Sequence, residues 1–582
     1  MKSLISKYRL ILLAVVVVVG SIVVDSIWRY TDTKAPQIPD ITESSASNPF
    51  QNSKKRQYKI TQDDDHLTGI NMNHLLHERL TTCCDSRHRN EIINKYKSVN
   101  VWVNNKFRYD YGVEHHNDSL SLKVKDKKTA EWLINQYIRN LANTDTCIHA
   151  GDLPPNIINF SESLYRNFDF VYRDPHFSPN LEMRYKPVSG ANSVEEYWDL
   201  WGHNLHDELT KNELINPIFI KGRTQQICFS EKTLFNNVSI YLNKRARSTS
   251  YDKLRTQRFV IMPLDNMTAC DCPQCRKLGN TRIYATPAII DFLDHLAEKF
   301  PDYTFYTGVY HSTQQPPKVP PKYRIAGVLL STSDLFDQQN NAEEYFVETA
   351  KAWKNYADTL YVWDYAANFN DFLTPLPILY QLKKKLKLYR DCGISGIFLQ
   401  GSGYDYSPFD DVKTFAATAL MIDGQLDVDE LCHRYFAQFY PVSAGILEVY
   451  YLTMEKTMRK RLDIHGDMNN AIESYFQVDD FLEFYKKLGI LLSMKEVDGN
   501  ERERLEKLYS ALSFTWLQTE LYRQTGSYDI AKINEKTLEI TPEIKTVAEK
   551  LSEYADHGFT NYKEKNGKLK NYMESWNKYV NK

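Results

Sequence analysis

The chain has 582 residues, with 72 basic against 74 acidic side chains. That length exceeds one domain and indicates about three. The balanced charge excludes a polyanion-binding field and with it nucleic acid as a partner, and nine mostly scattered cysteines exclude a disulfide scaffold.

The N-terminus carries Lys2, Lys7 and Arg9, then the uncharged run Leu10–Val24, then Asp25. Fifteen apolar residues fit a signal h-region better than a full span of ~20. Extending the run through Ile27 and Trp28 makes residues 1–30 an uncleaved signal anchor or a signal peptide. Neither an A-x-A cleavage site nor a lipoprotein cysteine follows. Basic residues before the run predict an extracytoplasmic chain, in the periplasm or at the cell surface, anchored to the membrane by residues 10–28.

Residues 31–58 are rich in Pro, Ser, Thr and Asn and predict a linker. Residues 59–150 predict a small α/β domain, with strands at Val99–Val103 and Leu120–Val124 and a helix over Lys128–Ala142. His115-His116 reads as a solvated loop.

From residue 151 to about 440, short apolar runs alternate with helical spacings. The runs are Phe168–Tyr172, Tyr197–Trp201, Gln226–Phe229, Phe259–Met262, Phe305–Val309, Ile325–Leu330, Leu360–Val362 and Ser395–Leu399. Helices fit at Ala285–Lys299, Ala342–Tyr356 and Pro377–Cys392. This cadence predicts parallel strands joined by crossovers, and eight strands predict a (β/α)8 TIM barrel. No G-x-G-x-x-G follows any of them, which weighs against a nucleotide-binding sheet. Residues 441–582 predict a helical C-terminal domain, with apolar residues repeating at three and four.

Barrel chemistry sits at strand C-termini. The predicted ends carry Arg173, His203, Asp265-Asn266, Tyr310-His311, Trp363-Asp364-Tyr365 and Gln400, with Tyr404 and Asp405 just beyond. Carboxylates, amides and large aromatics together suit a sugar, as do the 39 tyrosines, although a Tyr-rich core explains those equally well. Glycoside hydrolysis needs two carboxyl groups, ~5–5.5 Å apart for retention and ~6.5–9.5 Å for inversion. Asp265, Asp364 and Asp405 are the catalytic candidates. Asp364 or Asp405 suits the general acid, since neighbouring aromatics would raise its pKa by desolvation. Arg173, His203, Asn266, Tyr310, His311, Trp363, Tyr365, Gln400 and Tyr404 would hold the substrate. Each has a plainer reading: Asp265-Asn266 can cap its loop, Trp363-Asp364-Tyr365 can be a rim cluster, and His203 can be a buried histidine.

Cys270, Cys272 and Cys275 form C-x-C-x-x-C, and Cys228 ends the preceding predicted strand. Zinc ligation and two disulfides are both compatible with this spacing. Bracing of the loop is the favoured role, and no catalytic metal is assigned. Cys83 and Cys84 are adjacent, so a bond between them would be strained. Asn117, Asn237 and Asn266 each begin a short, common glycosylation triplet.

The segment from Phe168 to Met454 resembles a bacterial family known as domain of unknown function 4838. The resemblance rests on His203, Cys228, Asp265-Asn266 with Cys270, Cys272 and Cys275, Trp363-Asp364-Tyr365 with downstream Asn368, and Gln400-Gly401. It implies the architecture of glycoside hydrolase families 20 and 67, hexosaminidases and α-glucuronidases, with a small α/β domain before a TIM barrel. It adds Asn368 to the substrate-binding candidates and implies a carbohydrate partner, without an organic cofactor. Family 20 barrels end their fourth strand in Asp-Glu, whereas this chain has Asp265-Asn266 and ends no predicted strand in glutamate. The substrate-assisted hexosaminidase mechanism and the glutamate-based glucuronidase mechanism therefore do not carry over.

The sequence thus points to an exported glycoside hydrolase. The alternative is a non-catalytic glycan-binding or scaffold protein on a degenerate barrel. A zinc-dependent hydrolase built on the cysteines is a third reading.

Overall fold

The computed structural model describes residues 61–62 and 98–580, apart from breaks at 118, 145–152, 183–185, 215–219, 222–224, 249–256, 321, 323–324, 334–340, 459–462, 498, 534–537 and 566. The predicted anchor, the linker and Cys83-Cys84 lie outside the described residues. Among the described residues, no helix is long and apolar enough to cross a membrane.

The first unit is a small sheet covered by a helix. Beside a two-residue edge strand, Thr61–Gln62, which pairs parallel with the first of them, its strands are β1 (Ser98–Val103), β2 (Tyr111–His116), β3 (Ser119–Val124) and β4 (Leu164–Arg166). β1 runs parallel to β3, and β2 lies antiparallel between β3 and β4. Helix α1 (Lys127–Thr144) buries Trp132, Leu133, Ile134 and Ile138 against it. His115-His116, expected in a loop, ends β2 instead.

The second unit is a six-stranded parallel sheet. In chain order the strands are β5 (Tyr172–His176), β6 (Arg258–Val260), β7 (Thr304–Val309), β8 (Ile325–Ser331), β9 (Ala357–Tyr365) and β10 (Gly396–Gln400). Their spatial order is β5-β10-β9-β8-β7-β6, every neighbouring pair parallel. The last strand pairs with the first, as in a closing barrel, and among the described residues six strands form half-barrel walls, short of the eight expected. The second predicted strand contributes only one bridge, Leu200 to Phe259. The third contributes Gln226–Ile227, which pairs antiparallel with Ile220–Lys221 outside this sheet. The first strand also begins four residues later than its apolar run predicts.

Side chains alternate across a strand, and here the two faces differ in chemistry. Tyr172, Trp198, Val260, Met262, Tyr306, Leu329, Tyr361 and Phe398 fill the concave side, with Tyr310 and Trp363 packed against them. Leu330, Leu360, Val362, Ile397 and Leu399 face the crossover helices on the other side. These include α2 (Thr286–Lys299), α3 (Ala342–Lys354), α4 (Leu379–Asp391) and α5 (Asp410–Ile422).

The remainder is helical. Its helices are α6 (Val428–Phe439), α7 (Ala444–Thr457), α8 (Val478–Ser493), α9 (Gly499–Thr525) and α10 (Pro542–Ser552), the first of them within the predicted barrel range. A small hairpin, Asn561–Lys563 with Gly567–Lys568, precedes α11 (Leu569–Val580). Unpaired N–H groups at helix starts donate readily to a carboxylate. Glu455 on α7 accepts from the backbone N–H groups of Ile378, Leu379 and Tyr380 at the head of α4. Buried side chains thus fasten this domain to the sheet.

Candidate active-site cleft

A cleft of about 730 Å³ opens at the C-terminal ends of the parallel strands. His203, Met262, Asp265, Tyr310, Leu329, Ser331, Trp363, Tyr365 and Gln400 line it from the sheet side. Asp463, Ile464, His465, Glu564 and Lys565 line it from the C-terminal domain.

Aromatic rings build its floor. Trp363 stacks on Trp201, centroids 5.1 Å apart and planes 24° from parallel, and stands edge-on to Phe398. Gly202, at φ 58°, lets the backbone pass Trp363: a Cβ there would lie 3.2 Å from its ring. The Trp363 indole N–H donates to Gln400 Oε1 at 2.6 Å, which leaves the Gln400 amide N–H groups as donors. His203 Nδ1 donates to the Pro263 carbonyl at 2.6 Å. A carbonyl only accepts, so in the neutral ring Nε2 is the acceptor.

Asp265 reaches the cleft from a clamped loop. The buried side chain of Gln226 accepts from Leu264 N–H and donates to Leu264 O, Asn266 Oδ1 and Thr268 O. Asn266 Oδ1 also accepts from the N–H and hydroxyl of Thr268. The stretch that does not join the sheet as a third strand thus braces the loop after the fourth.

Several candidates lie elsewhere. Asp364 is not at the cleft: Trp363 and Tyr365 face inward, so strand alternation turns Asp364 outward. There it accepts from Lys385 Nζ through both oxygens at 2.7 Å, from Tyr389 OH, and from Thr332 Oγ1. Burial alone would raise its pKa, but the Lys385 charge and these hydrogen bonds hold it below the usual carboxylate range. Asp405 accepts from Asn561 Nδ2 at 2.8 Å and Thr560 Oγ1, fastening the hairpin to the sheet rim.

Arg173 also leaves the site. It faces out of β5, donates to the carbonyls of Gly190, Phe170 and Val171, and lies 4.1 Å over the Phe168 ring. Burial pushes its pKa down to about 10. Asn266 serves its loop and not the cleft. Asn368 donates to the Gly466 carbonyl, tying the loop after β9 to the C-terminal domain. His311, at φ 49°, lines a neighbouring groove with Met267 and Tyr284. Tyr404 is 75% exposed and donates to Glu195. Of the thirteen candidates, Asp265, His203, Tyr310, Trp363, Tyr365 and Gln400 meet in one cleft.

Sequence reasoning missed Asp463, His465, Glu564 and Lys565. Backbone hydrogen bonds hold both loops on the loop after β9: Phe369 N–H to Ile464 O, and Glu564 N–H to Phe369 O. The available signals were the Asp-x-His-Gly break between two helical patterns and the Asn566-Gly567 dipeptide, a hairpin turn signal.

Fold and site together define a mixed α/β protein with a parallel half-barrel and an aromatic, carboxylate-bearing cleft at its strand ends. The chain belongs to the family described as domain of unknown function 4838, whose model matches residues 152–453. No curated protein matches it. Among solved structures it is similar to a GH138 enzyme targeting pectin rhamnogalacturonan II, at 10% identity over 86% of this chain and 73% of that one, TM-score 0.37. It is also similar to a family 89 glycoside hydrolase from Clostridium perfringens in complex with GlcNAc-α-1,4-galactose, at 10% identity over 83% and 64%, TM-score 0.48. A third is Streptomyces plicatus N-acetyl-β-hexosaminidase, at 11% identity over 62% and 90%, TM-score 0.32. The chain spans about two thirds of the length of the family 89 enzyme.

Proposed function

We propose that this protein is carbohydrate-active: the cleft binds a glycan and hydrolyses a glycosidic bond. The observation that carries the reading is one cleft holding the Trp363 platform, the amide of Gln400, the His203 acceptor and three carboxylates, Asp265, Asp463 and Glu564. An aromatic face matches the C–H face of a pyranose, and amide and imidazole groups fix hydroxyl directions. Asp265 supplies one carboxyl group from the sheet, and Glu564 or Asp463 supplies its partner from the C-terminal domain. One of the pair protonates the leaving oxygen while the other acts as base or nucleophile.

A second reading is glycan binding without turnover. It is favoured by Asp364 and Asp405 being tied to structural partners, which leaves Asp265 as the sheet's own carboxylate in the cleft. The basic N-terminus before an apolar run supports export to the periplasm or cell surface, with residues 10–28 as membrane anchor. Protease accessibility on intact cells tests that part.

The deciding experiment screens glycan binding and glycoside hydrolysis with the full chain, Asp265→Asn, Asp463→Asn and Glu564→Gln. Hydrolysis that falls about 10²–10⁴-fold in Asp265→Asn and in one of the other two variants supports the enzyme. Binding without hydrolysis in all four proteins leaves the second reading. No binding at all overturns both.

A further inference from the structure

Cys228 stands just after the Gln226–Ile227 strand, Cys270 and Cys272 lie in the loop after Asp265, and Cys275 sits on the short helix Pro273–Leu278. Chain segments more than forty residues apart bring their sulfurs together. All four Sγ atoms lie within 4.8 Å of one another. Cys228 Sγ is 3.6 Å from Cys272 Sγ and 3.8 Å from Cys275 Sγ. A tetrahedral zinc with Zn–S near 2.3 Å sets its sulfurs about 3.8 Å apart. A disulfide instead pairs sulfurs at about 2.05 Å, and all four cysteines are free here.

The surroundings suit thiolates. The backbone N–H of Cys275 donates to Cys272 Sγ at 3.5 Å, closing a turn around the C-x-x-C pair. The Ser230 hydroxyl lies 3.1 Å from Cys275 Sγ and 3.6 Å from Cys272 Sγ. Such outer donors orient metal ligands and spread their negative charge. Cys228, Cys270 and Cys275 are buried and Cys272 is half-exposed, so the four-sulfur set is closed and offers no open coordination position for a substrate.

We propose that Cys228, Cys270, Cys272 and Cys275 bind one zinc ion as a structural site. Binding releases the thiol protons and leaves a tetrahedral ion held by four thiolates. The ion joins the Gln226–Ser230 segment to the loop that carries Asp265, the two segments that Gln226 already ties by hydrogen bonds. The metal therefore acts on the cleft by fixing the position of Asp265, and it touches no substrate.

Metal analysis and thiol titration of the purified full chain test this. The expected result is one zinc per chain, lost when a mercurial titrates four thiols, and replaced in cobalt-grown protein by the ligand-field bands of tetrahedral thiolate cobalt. Cys272→Ser with Cys275→Ser should bring the zinc content from one per chain to none, while Cys392→Ser, away from the cluster, keeps it at one. The wild-type stoichiometry and cobalt spectrum stand even if the double variant fails to fold. Zinc-free protein overturns the proposal, whether its four cysteines are disulfide-bonded or free thiols by mass spectrometry, and so does zinc that persists in a folded double variant.

Discussion

Lys385 holds Asp364 through both carboxylate oxygens at 2.7 Å, on the side of β9 opposite the cleft. The pair fastens α4 to the sheet, away from the cleft at the strand ends. Removing one partner of a buried ion pair costs about 3–5 kcal/mol. The Lys385 side chain is 25% exposed, so water relieves part of that, and Asp364→Asn should lose roughly 2–4 kcal/mol in urea unfolding. Glycan affinity of the folded protein should be unchanged. A lost activity at wild-type stability would return Asp364 to the catalytic candidates.

The same pair sets an acid limit. The folded pKa of Asp364 lies below its unfolded value near 3.9. Its stabilisation is therefore fully present above that value and is lost as pH falls through the lower, folded one. Asp364→Asn should flatten this acid limb of the stability curve. Thermal melts from pH 2 to 6 would show it, and an unchanged slope would contradict it.

Much of this was legible in the sequence, for reasons that particular residues make plain. β7, β8, β9 and β10 are short apolar runs flanked by turns or helices, and burial on both faces leaves that signature. The helical character of residues 441–582 follows from apolar residues repeating at three and four. Strand parity was legible too. Trp363 and Tyr365 share a face that excludes Asp364, yet treating the triplet as one cluster put all three at the mouth. The fate of Gln226–Phe229 was not legible. An apolar run does not reveal its pairing partner, and here the buried Gln226 side chain fastens a loop in place of a third sheet strand. Asp463 and Glu564 were hidden because they join the cleft through tertiary contacts spanning about a hundred residues or more.

In the proposed reading Trp363 is both platform and donor, and two substitutions separate the roles. Trp363→Phe keeps an aromatic face but takes the indole partner from Gln400 Oε1, a half-buried acceptor at the cleft, at a net cost of about 0.5–1.5 kcal/mol. Trp363→Ala removes the face as well. Glycan titration should show weaker binding for Phe and weaker still for Ala. Equal affinity in all three proteins would take Trp363 out of the binding surface.

Asp174 is fully buried inside the half-barrel, where its carboxylate accepts from Tyr172 OH at 2.9 Å and Asn180 Nδ2 at 3.0 Å. Burial raises its pKa to about 8, against these hydrogen bonds. A raised folded pKa means the contribution is whole below about pH 4 and is lost as pH rises toward 8. Asp174→Asn replaces the protonated acid with a neutral amide of the same shape. It should melt close to the wild type at pH 5 and several degrees higher at pH 9. A variant less stable at both values would mean that the carboxylate is the form the fold requires.

Asp405 offers the sharpest separation of strap from catalyst. Its carboxylate accepts from Asn561 and Thr560, beside the hairpin that brings Glu564 to the cleft. An asparagine at 405 still presents a carbonyl oxygen to the Asn561 amide, whereas an alanine presents nothing. A strap therefore predicts near wild-type glycan binding in Asp405→Asn and several-fold weaker binding in Asp405→Ala, with proteolysis of the hairpin faster only in the alanine variant. A general acid predicts something else. Both substitutions remove the transferable proton, so both would lower hydrolysis alike, whether or not the hairpin stays protected. The conservative variant decides between them, because the amide keeps the hydrogen bond and loses only the acid.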